Sequence, residues 1–182
     1  EKKEILIDLL RFISTTDVYL SISELYLSGN YCFPKYDSKS LTPFIKAENI
    51  WYPILKGNIV KNSIDVGSKT PLNVLITGPN AGGKSTFIKS LCLSIIFGQT
   101  LGISTGTEME FTPFSIINTY LNIPDCKGKE SLFEAEMRRS LEHIKIMENL
   151  PKDNFSFVIM DEIFSSTNPN EGIAGAYAIA DR

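Results

Sequence analysis

The chain has 182 residues, 43% of them hydrophobic and 21% charged, with a formal net charge of -3. This suits one globular domain, or a domain with an appendage, and it excludes a global charge attraction to nucleic acid. Any DNA contact must use a local patch or lie outside this chain. The three cysteines, Cys32, Cys92 and Cys126, are odd in number and lack metal-ligand spacing, which points to reduced thiols in an intracellular protein. The longest apolar stretch, Leu91 to Ile103, is interrupted by Ser94, Gly98, Gln99 and Thr100 and is too short to span a bilayer. No signal-peptide pattern opens the chain. It starts at Glu1 and stops at Arg182 inside a helical pattern, so it is expected to be a segment of a longer protein, truncated at its C-terminus.

Residues 1–28 carry Ile5, Leu6, Leu9, Leu10 and Ile13 at helical spacing, with Ser28-Gly29-Asn30 as the stop. Ser14-Thr15-Thr16-Asp17 is either an exposed face of that helix or a break. The piece has no catalytic constellation, and residues 1–30 read as a helical connector into a domain of residues 31–182. Residues 31–71 hold Pro34, Pro43, Pro53 and Pro71 among short β-type runs. Proline at that density excludes a long helix and predicts short, edge-like strands. Trp51, Tyr52 and Ile59 either lie against a nucleotide base or pack in the core. Asn62 either hydrogen-bonds nucleotide or forms a turn.

Leu72-Asn73-Val74-Leu75-Ile76-Thr77 predicts a buried strand. It leads into Gly78-Pro79-Asn80-Ala81-Gly82-Gly83-Lys84-Ser85, which reads G-x-x-x-x-G-K-S, the phosphate-binding loop of nucleoside triphosphatases. Glycine at 78, 82 and 83 lets the backbone wrap a phosphate with its N–H groups inward. A helix from Lys84 to Phe97 follows, and its N-terminus adds partial positive charge. In this chemistry Lys84 reaches the β- and γ-phosphates of ATP and the Ser85 hydroxyl holds Mg²⁺. The helix is apolar nearly all round, which predicts a core position.

Residues 103–123 read as strands punctuated by Gly106 and Pro113. Asp125 to Glu130 is a polar loop, and Ser131-Leu132-Phe133-Glu134 opens a helix with a capping box. Phe133, Met137, Leu141, Ile144 and Met147 follow at spacings of three and four, with Glu134 and Arg138 paired on the solvated side. His143, the only histidine, reads as a surface or packing residue. Phe155 to Met160 predicts a buried parallel strand ending in Asp161 and Glu162. Asp161 would hold Mg²⁺ through water, and Glu162 would orient and deprotonate the attacking water. Asn168 then caps a last helix, with Pro169 at its first position and Glu171 completing a capping box. The small residues Gly172, Ala174, Gly175, Ala176 and Ala178 permit close packing there.

Two acids directly after a strand, and a polar helix-opening loop between the two nucleotide motifs, resemble the ABC-type ATPase superfamily. Within it the chain resembles the ATPase domain of MutS-family DNA mismatch repair proteins. The loop from Gly78 to Thr86 is similar to the family's G-P-N-x-x-G-K-S-T, and Phe111-Thr112 to its F-T-R turn, with Pro113 in place of the arginine. Gly128 to Met137 is similar to the signature G-R-S-x-F-x-x-E-M, with one extra residue before the serine. Asp161 to Gly172 is similar to D-E-x-x-x-x-T-x-x-x-D/E-G. Two departures mark a divergent member: Trp51-Tyr52-Pro53 stands where the family has arginine-histidine-proline, and Phe164-Ser165-Ser166 replaces a glycine-rich turn.

The resemblance implies an α/β, P-loop, ABC-type fold with a mostly parallel sheet core, a β-rich N-terminal subsheet and a leading helix. It implies ATP and Mg²⁺ as ligands, with the nucleotide held by Gly78, Pro79, Asn80, Ala81, Gly82, Gly83, Lys84, Ser85 and Thr86, flanked by Ile59 and Asn62. Lys84, Glu162 and Ser131 would serve catalysis, with Ser85 and Asp161 on the metal. Ser131 would face the γ-phosphate of a second MutS-like subunit, or only cap its own helix. Mismatched or branched DNA would bind through regions outside this segment. An ABC-type ATPase of another role, such as chromosome maintenance or transport, is the alternative. A non-enzymatic scaffold is a third reading, opposed by the intact Lys84, Ser85, Asp161 and Glu162.

Overall fold

The computed structural model describes residues 2–121, 132–165 and 167–180. The chain is α/β and divides into two compact units. One comprises Glu1–Asp37, Phe44–Leu72 and Ile76–Phe111; the other comprises Ser38–Pro43, Asn73–Leu75 and Thr112–Arg182.

The first unit opens with helix α1, Lys2–Leu27. Ser14 and Thr16 donate their hydroxyls back to the carbonyls of Leu10 and Phe12, both at 2.8 Å, so Ser14–Asp17 is an exposed face and not a break. Gly29, at φ 74°, ends the helix in the left-handed conformation that suits glycine. None of the described α1 side chains is buried.

Short strands follow, as proline density predicts. β1 (Tyr31–Cys32), β2 (Lys35–Tyr36), β3 (Ile45–Ile50) and β4 (Asn62–Val66) run between Pro34, Pro43, Pro53 and Pro71, each of which sits outside a ladder. Helix α2 (Lys84–Leu101) comes next, then β5 (Ser104–Thr105) and β6 (Glu108–Phe111). One sheet has the order β2-β6-β3-β4, with β3 antiparallel to both neighbours and β2 parallel to β6. β1 pairs antiparallel with β5.

The unit's apolar core joins Ile45, Ala47, Ile50, Met109 and Phe111 of the sheet to Leu91, Cys92 and Ile95 of α2. A buried hydroxyl seam fixes α2: the Ser104 hydroxyl donates to the Ser94 carbonyl at 2.7 Å, and the Ser94 and Thr105 hydroxyls bond each other. Gly98 lets β5 and β6 approach, since a Cβ there would lie 2.9 Å from Ser104 Oγ and 3.1 Å from the Phe111 ring. Burial pushes the Cys92 thiol up, and burial followed by the charge of Glu108 does so at Cys32. Cys32 and Cys92 form no disulfide among the described residues; Cys126 lies outside them.

The second unit pairs β7 (Phe114–Tyr120) with β8 (Phe155–Met160) in parallel, from Ile116 opposite Ser156 to Tyr120 opposite Met160. Parallel neighbours need a crossover, and α3 (Leu132–Glu148) lies within it. α4 (Pro169–Ala180) follows the acids.

Three expectations change. Leu72–Thr77 forms no strand: it is irregular, Leu72 and Val74 are exposed, and Leu75 is 94% exposed. A strand persists only with ladder partners, and none of the described strands pairs with this run. β8 is parallel but only half-buried, with Ile159 its one buried side chain. The expected mostly parallel core appears among the described residues as small mixed sheets, in which β2–β6 and β7–β8 are the parallel pairs.

α3 is helical as its spacing predicts, but its apolar stripe is not its buried face. Leu141 is 51% exposed, whereas Ala135, Glu136, Ser140 and His143 are buried. His143 is a packing residue, 1% exposed, with Nδ1 2.7 Å from the Asn118 amide nitrogen and its ring edge-on to Tyr120. Glu134 and Arg138 are both exposed.

Candidate functional site

The phosphate-loop residues lie in the first unit and the two acids in the second. In the loop, Ala81 and Gly83 adopt left-handed backbone conformations, with φ of 60° and 86°. The Gly82 N–H donates to the Pro79 carbonyl at 3.1 Å, closing a tight turn. A Cβ on Gly82 would sit 2.9 Å from that carbonyl oxygen, so only glycine fits without displacing backbone. Left-handed residues of this kind, here on either side of Gly82, are a component of anion-binding nests.

α2 begins at Lys84 with Gly83 as its N-cap and no side-chain cap bond. The Phe87 N–H is the one that reaches the Gly83 carbonyl, at 2.9 Å. The N–H groups of Lys84, Ser85 and Thr86 precede it and have no intrahelical acceptor. Lys84 folds over the loop: its Nζ donates to the carbonyls of Gly78 at 2.9 Å and Pro79 at 3.0 Å. The ammonium thus stands beside the glycine turn and the bare helix start, where oxygens of a phosphate would collect both sets of donors. The loop backbone is exposed from Gly78 to Gly83, and Lys84, Ser85 and Thr86 are half-buried. These residues fit a triphosphate.

Ile59 is exposed on the irregular stretch before β4, and Asn62 is half-buried as the first residue of β4, opposite Ile50. The Trp51 indole N–H donates to the Asn30 carbonyl at 2.9 Å, and its ring meets Tyr31 edge-on. That packing occupies one edge of Trp51. Tyr52 is half-buried.

In the second unit the Asp161 N–H donates to the Tyr120 carbonyl at 3.2 Å, extending the β7–β8 ladder by one bond beyond Met160. The chain then turns sharply. Glu162 and Phe164 are both left-handed, at φ 52° and 55°, and the Ser165 N–H donates to the Glu162 carbonyl at 3.3 Å. Asp161 is half-buried and Glu162 exposed. Both line a cleft of about 170 Å³ with Tyr120, Glu136, Ser140 and Phe164. The Tyr120 hydroxyl donates to the Arg139 carbonyl at 2.6 Å, and its pKa is raised by burial first and by Glu142 next, with Arg139 opposing. Among the described residues no group of three or more His, Cys, Asp or Glu forms a metal cage. A single carboxylate is compatible with Mg²⁺, which keeps most of its waters and takes one or two carboxylates.

Asn168 caps α4 as its sequence predicts: Oδ1 accepts from the Glu171 N–H at 3.0 Å. The Glu171 carboxylate accepts from the Thr167 hydroxyl at 2.5 Å. Hydrogen bonds from Thr167 first and Asn168 second hold its carboxyl below the ordinary range. Ser131, its capping box and the Gly128–Glu130 segment lie outside the described residues.

The sequence reading missed Tyr120, Glu136 and Ser140 as cleft residues. Glu136 had a signal, since it falls within the segment similar to the MutS signature. It also missed the partner of α4's small face, which is Phe164.

Residues 74–182 match the family described as MutS domain V. DNA mismatch repair protein MSH3 of Debaryomyces hansenii is 32% identical over 180 residues, covering 94% of this chain and 17% of that protein. DNA mismatch repair protein MSH7 of Arabidopsis thaliana is 33% identical over 159 residues, covering 79% of this chain and 14% of that protein. DNA mismatch repair protein MutS of Streptococcus agalactiae is 27% identical over 177 residues, covering 96% and 20% respectively. The chain therefore spans less than a quarter of the length of these relatives. With its family match running from the strand-like run before the loop through both acids and α4, this chain belongs to the MutS family.

Proposed function

We propose that the chain binds and hydrolyses Mg-ATP as the ATPase part of a MutS-like DNA repair protein. The observation that carries this reading is Lys84, held across a glycine turn by two loop carbonyls at a helix start with free N–H groups. Nucleotide binding exchanges those two carbonyls for β- and γ-phosphate oxygens, and the N–H groups of residues 84–86 join them. The Ser85 hydroxyl and, through water, Asp161 would hold Mg²⁺. When bound, the metal neutralises charge on the phosphate oxygens. Asn62 and Ile59 flank the nucleotide. Glu162 accepts the proton of the attacking water, a role that suits an exposed carboxylate two residues beyond a strand end.

On this reading residues 31–182 form the ATPase domain, and residues 1–30 connect it to regions that bind mismatched or branched DNA. Ser131 acts on the nucleotide of a second MutS-like subunit. The protein works inside the cell. Names of relatives that are DNA mismatch repair proteins support the repair assignment.

A Lys84→Ala substitution tests the loop. Losing a charge-assisted contact of about 1.5–3 kcal/mol weakens ATP binding by roughly 10- to 150-fold. Calorimetric titration with a slowly hydrolysed ATP analogue measures it. Unchanged affinity removes the loop from the binding site.

A further inference from the structure

The turn after the acids has a feature that neither ATP binding nor metal holding uses. Phe164 carries a bulky side chain at φ 55°, a region costly for such residues, and it is only 3% exposed. Glu162, two residues earlier, is also left-handed. Such a turn relaxes unless something holds it.

The hold is visible. The Phe164 ring lies against the glycine face of α4, where a Cβ on Gly175 would come within 2.9 Å of ring atoms Cδ2 and Cε2. A Cβ on Gly172 would lie 2.8 Å from the Phe164 carbonyl oxygen, so the backbone of the turn is seated as closely as the ring. Phe133 in the first turn of α3 also meets the ring edge-on, with ring centroids 5.6 Å apart. Two helices therefore grip one side chain, and the Ser165 N–H to Glu162 carbonyl bond ties that grip to the acid.

We propose that Phe164 is a positioning residue: its seat between α4's glycines and Phe133 holds the left-handed turn that aims the Glu162 carboxylate. This rests on the assignment of Glu162 as the base. The role of Phe164 is exerted through the backbone of Glu162. Gly172 and Gly175 are glycines because the turn occupies the space of their side chains.

The test uses three substitutions in the whole protein: Phe164→Ala, which empties the seat; Gly175→Ala, which narrows it from the far side; and Phe164→Leu, which refills most of it. Steady-state ATP turnover, equilibrium ATP affinity and amide hydrogen exchange over residues 161–165 are measured for each. Phe164→Ala and Gly175→Ala are expected to lower kcat by roughly 10- to 100-fold, the effect of misplacing a reacting group. ATP affinity stays within about twofold, because a purely transition-state interaction is lost. Exchange at 161–165 quickens in both, and Phe164→Leu recovers rate and protection together.

Unchanged kcat in both variants, or unchanged exchange, overturns the proposal. So does a proportional fall of kcat and affinity that Phe164→Leu does not reverse, because that is general destabilisation. A wild-type protein that binds ATP but turns none over refutes the hydrolysis reading by itself, and the exchange data then decide whether Phe164 holds the turn.

Discussion

Replacing Gly82 or Gly83 by alanine separates two physical demands that adjacent glycines meet in the loop. At Gly82 the demand is steric. A Cβ would lie 2.9 Å from the Pro79 carbonyl oxygen and 3.4–3.5 Å from the proline ring, and the carbonyl is backbone that cannot swing aside alone. Relief requires opening the turn, which forfeits the Gly82 N–H to Pro79 carbonyl bond. That bond contributes about 1 kcal/mol, and the displaced N–H groups lose a comparable amount with the phosphate. The sum of roughly 2 kcal/mol predicts about 30-fold weaker ATP binding for Gly82→Ala. At Gly83 a Cβ meets nothing within 4 Å, but φ is 86°. The cost there is the left-handed penalty of about 1 kcal/mol, or about fivefold in affinity. Both residues are exposed, so the stability cost is confined to the loop, about 1 kcal/mol for the lost bond at Gly82 or for the left-handed strain at Gly83. Titration calorimetry with a slowly hydrolysed analogue, alongside thermal melts, checks both. Wild-type affinity in Gly82→Ala, or an affinity loss there matched by an equal stability loss, refutes the reasoning.

Two further predictions concern the frame that carries the site. Gly98→Ala places a methyl 2.9 Å from Ser104 Oγ and 3.1 Å from the buried Phe111 ring, so it is expected to destabilise the first unit by about 1–3 kcal/mol, read by urea unfolding. Burial holds His143 below its ordinary pKa of 6.5. The unfolded chain therefore binds more protons than the fold below that pH, and stability contributed by neutral His143 is complete above about pH 6.5 and declines as pH falls. Melting curves from pH 7.5 to 5 are expected to show this slope, and a His143→Gln variant to show less of it. A His143→Gln slope as steep as wild type would contradict the assignment.

Much of the local chemistry is legible in the sequence because neighbours in the chain determine it. The loop glycines, the start of α2 at Lys84, the stop at Gly29 and the Asn168 cap each depend on a few consecutive residues. What the sequence hides depends on distant partners. Leu72–Thr77 has the composition of a strand, but strand structure needs a ladder, and composition cannot show that no described strand pairs with it. The spacing of Phe133, Met137 and Leu141 specifies a helix and leaves open which face is covered; the covered face carries His143 because Asn118 and Tyr120 of β7 supply its polar and aromatic contacts. The small face of α4 is evident from its glycines, and its occupant, Phe164, is evident only in three dimensions.

The acid pair shows the same division. A strand ending in Asp161-Glu162 is readable from the apolar run before it, while the left-handed turn at Glu162 and Phe164 is not, since both residue types disfavour that conformation. Glycine-rich turns accept it without a seat. Here the seat is built from glycines on the opposing helix, and the conformational freedom has moved from the turn to its socket.

The most direct test of the central claim compares wild type with Glu162→Gln in Mg²⁺-ATP. Equilibrium binding and single-turnover hydrolysis are measured on the same samples. The account predicts that both proteins bind ATP alike, and that Glu162→Gln hydrolyses it at least about 100-fold more slowly, the scale of a lost general base. Near-normal hydrolysis in Glu162→Gln, or a wild-type protein that fails to bind ATP at all, would contradict it.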